Sequence, residues 1–352
     1  MNANLPNPLR VVVAEDSPTA RRLLVEIIRA DPSMKVVGEA KDGLEAVELT
    51  QRLRPHLVTM DIQMPNMDGL EATKRIMTEV PTPVVVVSTL VERDIQTSMS
   101  ALRAGALAVL QKLVGPESPD FERESQHLRD TLKAMAGVKV VRHWPVRAPS
   151  SPSRTAPSVG TRARPAVVAI AASTGGPAAL HRILSELPAD FPLPILVVQH
   201  IALGFAEGMA GWLDSVTPLK VKVAEDGEPL KQGTVYVAPD DRHLGLSPDG
   251  QVQVSNTAPL GGFRPSGTHL FRSVARAFGA GSVALILTGM GQDGLEGLRE
   301  LRQAGGRVLA QDEATSIVFG MPGVAVAAGL PDAVLPLEAI ASHLKELATA
   351  TG

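Results

Sequence analysis

The sequence contains no cysteine, so disulfide bonds, cysteine-ligated zinc sites and a thiol nucleophile are all excluded. Charge of one sign is not in strong excess either, because 34 basic and 37 acidic residues leave a formal net charge of -3. The chain therefore lacks the cationic field that draws proteins to nucleic acids or anionic lipids. These absences fit a protein of a reducing compartment that binds no nucleic acid.

Long apolar segments are missing as well. No uninterrupted apolar run is long enough to span a bilayer, and the first ten residues, MNANLPNPLR, lack the apolar core of a signal peptide. We therefore expect a cytoplasmic protein that does not insert into a membrane. Hydrophobic residues nevertheless make up 44% of the 352 residues, which is enough apolar material for the cores of two domains.

The first third of the chain alternates short apolar runs with amphipathic helical patterns. The runs LRVVVA, MKVVGEA, LVTM, PVVVVS and ALAVLQ predict five strands. Strand–helix units in succession predict an α/β domain of the flavodoxin-like (βα)5 type, in which helices cover both faces of a parallel sheet. We place this domain at residues 1–130.

The composition changes after this domain. Residues 131–164 include APSSPSRTAPSVGTRAR, which lacks acidic residues and apolar periodicity, and they are interpreted as a Pro/Ser/Arg-rich linker. Residues 165–352 form a second series, in which AVVAIAAS, PILVVQH, VALILTGM and GRVLAQ predict buried strands. HLGLSPDGQVQVS alternates around Pro-Asp-Gly and predicts a surface hairpin. This pattern indicates a doubly wound, mostly parallel α/β domain with a β-hairpin.

Acidic residues follow two of the predicted strands of the first domain. Glu15 and Asp16 end LRVVVA, and Asp61 ends LVTM. Because the C-terminal ends of parallel strands share one edge of a sheet, these carboxylates can converge there, and they then need a cation such as Mg²⁺. Ser88 ends the fourth run, and Lys112 follows the fifth. A carboxylate nucleophile, two metal-holding acids, a hydroxyl and a cation are the groups that suit transfer of a phosphoryl group onto an aspartate. Taken singly, each of these residues also suits a helix cap or a solvated surface position.

These motifs resemble the receiver domain of response regulators. The likeness covers residues 9–112 and is carried by VAEDS, by DIQMPNMDG from Asp61 onward, and by Ser88 and Lys112. It implies that a histidine kinase phosphorylates Asp61 and that Ser88 and Lys112 act as switch residues. It also implies a Mg²⁺ site, which involves a backbone carbonyl from Gln63 and three carboxylates, those of Glu15, Asp16 and Asp61.

Two positions depart from the receiver pattern. Leu113 stands where proline usually follows the lysine, and Val109 stands at the usual aromatic switch position. The phosphorylation chemistry depends on neither position, whereas coupling of Ser88 to an aromatic rotamer depends on the second.

A hydroxyl, an imidazole and a carboxylate follow three predicted strands of the second domain. Ser173, His200 and Asp293 come after AVVAIAA, PILVVQ and VALILTGM. If those strands are parallel neighbours, the three side chains meet at one edge and supply the parts of an activated serine nucleophile. The same residues also suit helix caps, a phosphate site or a core histidine, so spacing alone leaves both interpretations open.

The second domain resembles the catalytic domain of chemotaxis protein-glutamate methylesterases. The likeness covers residues 165–349 and is carried by ASTGGP, QH, LTGMGQDG, AQDE and GMPG. It implies that Ser173 is the nucleophile, that His200 is the base and that Asp293 orients the base. It also implies that the Met290 N–H lies in the oxyanion hole and that Thr174 lies beside the nucleophile.

The resemblance implies a monomeric, phosphorylation-controlled enzyme. Its expected reaction is hydrolysis of glutamate γ-methyl esters on methyl-accepting chemoreceptors, with glutamine deamidation as a second reaction and no cofactor for hydrolysis. The family pattern changes at residues 201–202 and 265–269, which are expected to shape the substrate groove. Two alternatives stay open: the same chemistry in a non-chemotactic array, and a non-catalytic, phosphate-switched signalling protein.

Overall fold

The structure, a computed structural model of the chain, describes residues 7–88, 100–102, 104–113, 115–119, 121–138 and 163–349. Residues 139–162, which form most of the predicted linker, lie outside the described residues. Among the residues that are described, no helix combines the length and the apolar character needed to cross a bilayer.

The N-terminal part contains a five-stranded parallel sheet with the order β2-β1-β3-β4-β5. Its strands are β1 (Leu9–Ala14), β2 (Met34–Ala40), β3 (Leu57–Met60), β4 (Val84–Ser88) and β5 (Ala108–Gln111). The helices described around it are α1 (Pro18–Arg29), α2 (Gly43–Leu53), α3 (Gly69–Glu79) and α4 (Phe121–Ala136). The four valines of β4 are at most 1% exposed, as β-branched side chains on both covered faces of a parallel sheet should be. The predicted flavodoxin-like sheet is confirmed.

Helix starts in this part follow from local side-chain caps. The hydroxyl of Ser17 accepts the Ala20 N–H at 3.4 Å, and Pro18 occupies the first turn of α1. Asp42 and Asp68 cap α2 and α3 in the same way. The side chains of Ser17, Asp42 and Asp68 therefore fix where the three helices begin, at the C-terminal edge of this sheet.

Helix α4 continues to Ala136, so the predicted boundary at residue 130 falls inside a helix. Leu132 and Met135 are at most 1% exposed and pack in the core of the N-terminal sheet. Burial of these apolar side chains holds the last turns of α4 on the sheet. The division of the chain at 1–130, 131–164 and 165–352 stays a prediction, and its first boundary needs to move beyond α4.

The C-terminal part contains a seven-stranded sheet with the order β14-β13-β12-β6-β7-β9-β8, and neighbouring strands pair in parallel throughout this order. Its strands are β6 (Val167–Ala172), β7 (Ile195–Gln199), β8 (Lys220–Val223), β9 (Thr234–Val237), β12 (Ser282–Ile286), β13 (Arg307–Gln311) and β14 (Ala333–Leu335). The helices are α5 (Gly176–Ser185), α6 (Ala206–Val216), α7 (Gly267–Phe278), α8 (Leu295–Gln303), α9 (Met321–Ala327) and α10 (Leu337–Thr349).

Both faces of this second sheet are covered. Val168 and Ile170 of β6 belong to one apolar cluster, whereas the alternating residues Ala169 and Ala171 belong to another. Successive side chains of a strand point to opposite faces, so each cluster is the core of one face. The predicted doubly wound, mostly parallel α/β fold is confirmed. Strands β8, β9 and β14 were not predicted, because runs of three or four residues give too few alternations for a periodic signal.

The predicted hairpin is present as β10 (His243–Leu246) and β11 (Val252–Ser255), which pair antiparallel. It is not a surface element throughout, because all four residues of β10 are buried. Helix α7 packs against β10, and the ring of His269 stacks on that of His243 with centroids 4.6 Å apart. The prediction of a surface hairpin is therefore wrong for β10, because a helix distant in sequence covers it.

Candidate active site and phosphorylation site

Three neighbouring parallel strands precede the residues predicted to form the catalytic triad. In the order β12-β6-β7, they lead into Asp293, Ser173 and His200. Ser173 and His200 follow their strands directly, and Asp293 follows after the loop 287–292. The Ser173 N–H donates to the Thr288 carbonyl at 3.0 Å, and the His200 N–H donates to the Ala172 carbonyl at 2.9 Å. The condition stated for the triad, that its strands are parallel neighbours, is met.

The imidazole of His200 is held by the carboxylate of Asp293. Nε2 of His200 and Oδ2 of Asp293 are 2.9 Å apart. Because a carboxylate accepts hydrogen bonds, we assign the imidazole proton to Nε2, which leaves Nδ1 as the basic nitrogen. Nδ1 is buried and makes no hydrogen bond within the described part of the chain. It is therefore the nitrogen that remains for proton transfer.

Asp293 lies at the N-terminus of helix α7, where three donors reach its carboxylate. The Ser266 hydroxyl donates to Oδ1 at 2.8 Å, and the N–H groups of Gly267 and Thr268 donate at 2.6 and 3.1 Å. Burial on its own would raise the pKa of Asp293, but the bonds from His200 and from these donors outweigh it and lower the pKa to about 2. The carboxylate is therefore ionised at neutral pH.

Position 289, in the loop after β12, requires glycine because the backbone there lies against Ser173, the predicted nucleophile. A Cβ at Gly289 would lie 2.6 Å from Cβ of Ser173 and 2.6 Å from the sulfur of Met321. A side chain there would displace the backbone that leads to Met290, whose N–H is predicted for the oxyanion hole. Met290 and Thr174 line the same cavity as Ser173.

A cavity of about 780 Å³ opens in front of these residues. Ser173 and His200 line its C-terminal side, and residues of β5 and α4, such as Leu110 and His127, line the opposite side. The N-terminal part of the chain therefore forms one wall of the cleft that contains the predicted nucleophile.

Gln199 belongs to the site, although no role was predicted for it. Its Nε2 donates to the carbonyls of Ser173 at 2.7 Å and His200 at 2.8 Å, so one side-chain amide joins the backbones of two triad residues. A Cβ at Gly176 would collide with Oε1 of Gln199, so glycine leaves room for the amide. The signal in the sequence is a polar residue at the end of the apolar run ILVVQ.

Phe263 and Ser266 also belong to the site. Phe263 was not singled out from the sequence, whereas Ser266 falls in residues 265–269, which were predicted to shape the substrate groove and not to hold Asp293. The Phe263 ring stacks on the imidazole of His200, with centroids 4.4 Å apart and an interplanar angle of 12°. Ser266 lies 27 residues before its partner Asp293. Neither contact has a local signal, because each joins segments that only the folded sheet brings together.

The predicted acidic cluster forms at the C-terminal edge of the N-terminal sheet. Carboxylate oxygens of Glu15, Asp16 and Asp61 all lie within 4.8 Å of one another. Nζ of Lys112 lies 2.9 Å from Oε2 of Glu15 and 2.9 Å from Oδ2 of Asp61. Ser88 ends β4 next to these groups, and its carbonyl accepts the Lys112 N–H at 2.8 Å. The structure thus brings together the four charged side chains predicted for phosphorylation and places Ser88 at the end of the strand next to Lys112.

A divalent cation fits these carboxylates. Glu15 is 0% and Asp61 is 4% exposed. Burial, together with the charge of neighbouring carboxylates, raises the pKa of both groups, although Lys112 opposes the shift. One lysine carries less charge than three carboxylates, so a hard dication such as Mg²⁺ would relieve the remaining repulsion. The acidic cluster is compatible with Mg²⁺ binding.

Two family models match the chain. The model described as CheB methylesterase matches residues 168–344, and the model described as response regulator receiver domain matches residues 11–118. The chain belongs to the CheB methylesterase family. It is a hydrolase joined to a receiver domain, and the family predicted from the sequence motifs is confirmed.

Relatives from this family match along nearly the whole chain. Protein-glutamate methylesterase/protein-glutamine glutaminase 4 of Myxococcus xanthus (strain DK1622) is 72% identical over 96% of this chain and 96% of the relative. Protein-glutamate methylesterase/protein-glutamine glutaminase 3 of Anaeromyxobacter dehalogenans (strain 2CP-C) is 57% identical over 96% of this chain and 98% of the relative. The crystal structure of the Thermotoga maritima CheB methylesterase catalytic domain is 42% identical, with a TM-score of 0.51; the match covers 53% of this chain and 100% of that domain.

Proposed function

We propose that this methylesterase hydrolyses γ-methyl esters of glutamate side chains on chemoreceptors, with Ser173 as nucleophile, His200 as base and Asp293 as the residue that orients the base. The observation that carries the proposal is the 2.9 Å contact between His200 and the buried Asp293, at the strand edge where Ser173 also lies. The activities in the names of the two relatives support the substrate class.

The reaction proceeds in two acyl-transfer steps. The Oγ atom of Ser173 attacks the ester carbonyl carbon while Nδ1 of His200 takes the hydroxyl proton, and Asp293 stabilises the imidazolium that forms. The imidazolium gives the proton to the methoxy oxygen, and methanol leaves. Water then attacks the acyl-enzyme with His200 again as base, and free glutamate departs as the proton returns to Ser173.

The tetrahedral intermediate carries a negative oxygen that needs donors. The Met290 N–H is proposed to supply one of them, with Thr174 next to the nucleophile. A single oxyanion donor is worth roughly 10² to 10³ in kcat. Deamidation of glutamine follows the same steps, because an amide forms the same intermediate and releases ammonia in place of methanol.

The receiver domain is proposed to control access to the cleft. Support comes from the cavity itself, since β5 and α4 form the wall opposite Ser173. A histidine kinase phosphorylates Asp61, and Ser88 and Lys112 respond to the new charge, which weakens the contact between the domains. Mg²⁺, held by Glu15, Asp16 and Asp61, would neutralise part of the charge on the phosphoryl group.

The experiment is methanol release from methyl-labelled chemoreceptor membranes by the full-length protein, with and without Mg²⁺ and a small phosphodonor. Release should depend on Ser173 and rise with phosphodonor, and Asp61→Ala should keep the basal rate but lose the rise. EDTA should remove the stimulation and leave basal hydrolysis unchanged. Release that persists in Ser173→Ala would overturn the nucleophile assignment.

Two alternatives are separated by further readouts of the same preparation. A non-catalytic signalling protein would not be labelled by a serine-reactive phosphonate, whereas an esterase would be labelled at Ser173. An esterase of a non-chemotactic array would be labelled but would release methanol only from receptors of that array. The protein is also proposed to be a monomer, which light scattering at assay concentrations would test.

A further inference from the structure

One short segment contacts two members of the triad. Residues 260–268 lie between β11 and the first turn of α7, and they run past both His200 and Asp293. At the start of the segment, the Phe263 ring covers one face of the imidazole, with centroids 4.4 Å apart and planes 12° apart. At its end, Ser266 and the following N–H groups hold the carboxylate that pairs with the same imidazole.

The ring of Phe263 is presented by a tight turn. Leu260 and Phe263 exchange two backbone hydrogen bonds of 3.1 and 3.0 Å across Gly261 and Gly262. Both glycines have positive φ, at 59° and 87°, while a Cβ at either position would meet no heavy atom within 4 Å. Glycine is therefore needed at both positions because a two-residue hairpin turn has positive φ there. Neighbouring atoms would leave room for a side chain at either position. The turn fixes where Phe263 leaves the backbone.

The residue after Phe263 anchors the segment to its surroundings. Nε of Arg264 donates to Oδ1 of Asp241 at 2.8 Å, and Nη1 of Arg264 donates to the Thr257 carbonyl at 3.2 Å. The segment is thus held before and after the ring, by the turn and by this arginine. Phe263 itself is half-buried and lines the cavity beside His200, so its ring separates one face of the imidazole from solvent.

The two contacts restrict His200 in different directions. The bond from Nε2 to Asp293 aligns the imidazole within its plane, whereas a ring on its face opposes rotation out of that plane. The face of an aromatic ring is also electron-rich, so it favours a cation stacked on it. His200 becomes an imidazolium in the transition state, and the contact should therefore be stronger in that state than in the resting enzyme.

We propose that Phe263 is a positioning residue of the hydrolase reaction, which holds the imidazole of His200 and stabilises its charged form through the stacked ring. The proposal rests on the proposed function, since it requires His200 to act as the base. It predicts that the aromatic ring at position 263, and not only apolar volume there, sets the rate of the chemical step.

The test compares full-length Phe263→Leu and Phe263→Tyr with the wild-type protein, each with Mg²⁺ and phosphodonor, in methanol release and in phosphonate labelling of Ser173 across pH. Phe263→Leu should lower kcat by about 3- to 30-fold at nearly constant KM, the size expected for losing a cation–π contact. It should also move the midpoint of the acidic limb of the rate profile to lower pH, because the imidazolium loses a favourable neighbour. Phe263→Tyr, which keeps the ring, should restore both values.

Phe278→Leu is the matched control, because Phe278 is a half-buried phenylalanine on α7 that lies next to Gly250 of the hairpin turn. It should leave the rate and the pH profile unchanged. The proposal is overturned if Phe263→Leu behaves like this control, or if it raises KM with kcat unchanged, which would make the ring a wall for substrate. If Phe263→Leu does not fold, Phe263→Met replaces it. If the proposed function itself is wrong, the wild-type protein will show no Ser173-dependent methanol release. That outcome differs from failure of the Phe263 proposal, in which the wild-type protein remains active.

Discussion

At the scale of single residues, the site depends on polar groups that are buried together with their partners. Asp293 is 6% exposed, and it accepts bonds from His200, from the Ser266 hydroxyl and from three N–H groups. Gln199 is 4% exposed and donates to two backbone carbonyls. Removing one partner from such a group leaves the other buried without a bond, which costs more than the bond itself contributes.

Replacing Asp293 by asparagine should lower kcat by about 10³- to 10⁴-fold, because an amide can donate to Nε2 and so reverse the tautomer of His200. Methanol release at saturating phosphodonor measures the effect. Asp249→Asn, in the exposed turn of the hairpin, is the control and should keep wild-type activity. A rate within tenfold of wild type for Asp293→Asn would contradict the assigned role.

At the scale of elements, the conformation of the loop after β12 is restricted by its close contacts with Ser173 and with the start of α9. Gly289 approaches Ser173 so closely that a Cβ cannot fit, and the Gly289 carbonyl accepts the Met321 N–H at 2.8 Å as α9 begins. The loop thus connects the predicted oxyanion donor, Met290, to a helix start on one side and to the nucleophile on the other.

Gly289→Ala should lower kcat on the order of 10²-fold, since a displacement of about 1 Å at a reacting group has that effect. The melting temperature should fall as well, because Gly289 is buried and its neighbours Ser173 and Met321 must shift to admit a Cβ. Gly211→Ala is the matched control: a Cβ at Gly211, inside α6, meets nothing within 4 Å. Equal kcat for the two variants would show that the loop position is not critical.

Helix α4 is tied to the N-terminal sheet by a charged contact as well as by its apolar face. Asp31 accepts the Ser33 hydroxyl at 2.6 Å and Nζ of Lys133 at 2.9 Å. The Ser33 bonds and the Lys133 charge outweigh the opposing effect of burial and lower the pKa of Asp31 to about 2. A carboxyl whose pKa is lower in the folded than in the unfolded state stabilises the fold above its unfolded pKa.

Asp31→Asn should therefore lower the free energy of unfolding by about 1–2 kcal/mol at pH 6. The difference from wild type should shrink as the pH falls from about 4 towards 2, because the wild-type carboxyl is then protonated too. Urea unfolding at several pH values measures this, with Glu48→Gln on the exposed side of α2 as control. A difference that stays constant down to pH 2 would show that the charge of Asp31 is not the cause.

At the scale of the whole molecule, the two sheets are arranged so that the C-terminal cleft faces the N-terminal part. The cavity in front of Ser173 is closed on one side by Leu110 of β5 and by residues of α4, including His127. Apolar contacts join the two parts, since Ile317 and Val318 pack against the cluster of the N-terminal sheet. An enzyme built this way is expected to be slower with its receiver in place than without it.

Deleting residues 1–137 should raise basal methanol release by about ten- to a hundredfold, which corresponds to ~1.4–3 kcal/mol in the equilibrium between closed and open forms. The increase should not respond to phosphodonor, because Asp61 is removed with the segment. The same truncation carrying Ser173→Ala is the control for background release. Unchanged or lower activity of the truncated protein would rule out the inhibitory arrangement.

Much of the site could be predicted because its residues come directly after apolar runs. Ser173, His200 and Asp61 each follow a buried parallel strand, and parallel strands place their C-terminal ends at one edge whatever their order in the sheet. Ser17 and Asp68 cap the starts of α1 and α3 by equally local contacts, although those helix starts were not among the predictions.

The pair of parallel α/β folds, the family and the residues that follow the strands could thus be predicted from the amino-acid sequence, since apolar periodicity and short motifs are local properties. The folded arrangement was needed to show which nitrogen of His200 faces Asp293, that Phe263 stacks on the imidazole, and that α7 covers β10. These contacts join segments far apart along the chain. Their geometry depends on how sheets, helices and loops pack, and no local pattern records that packing.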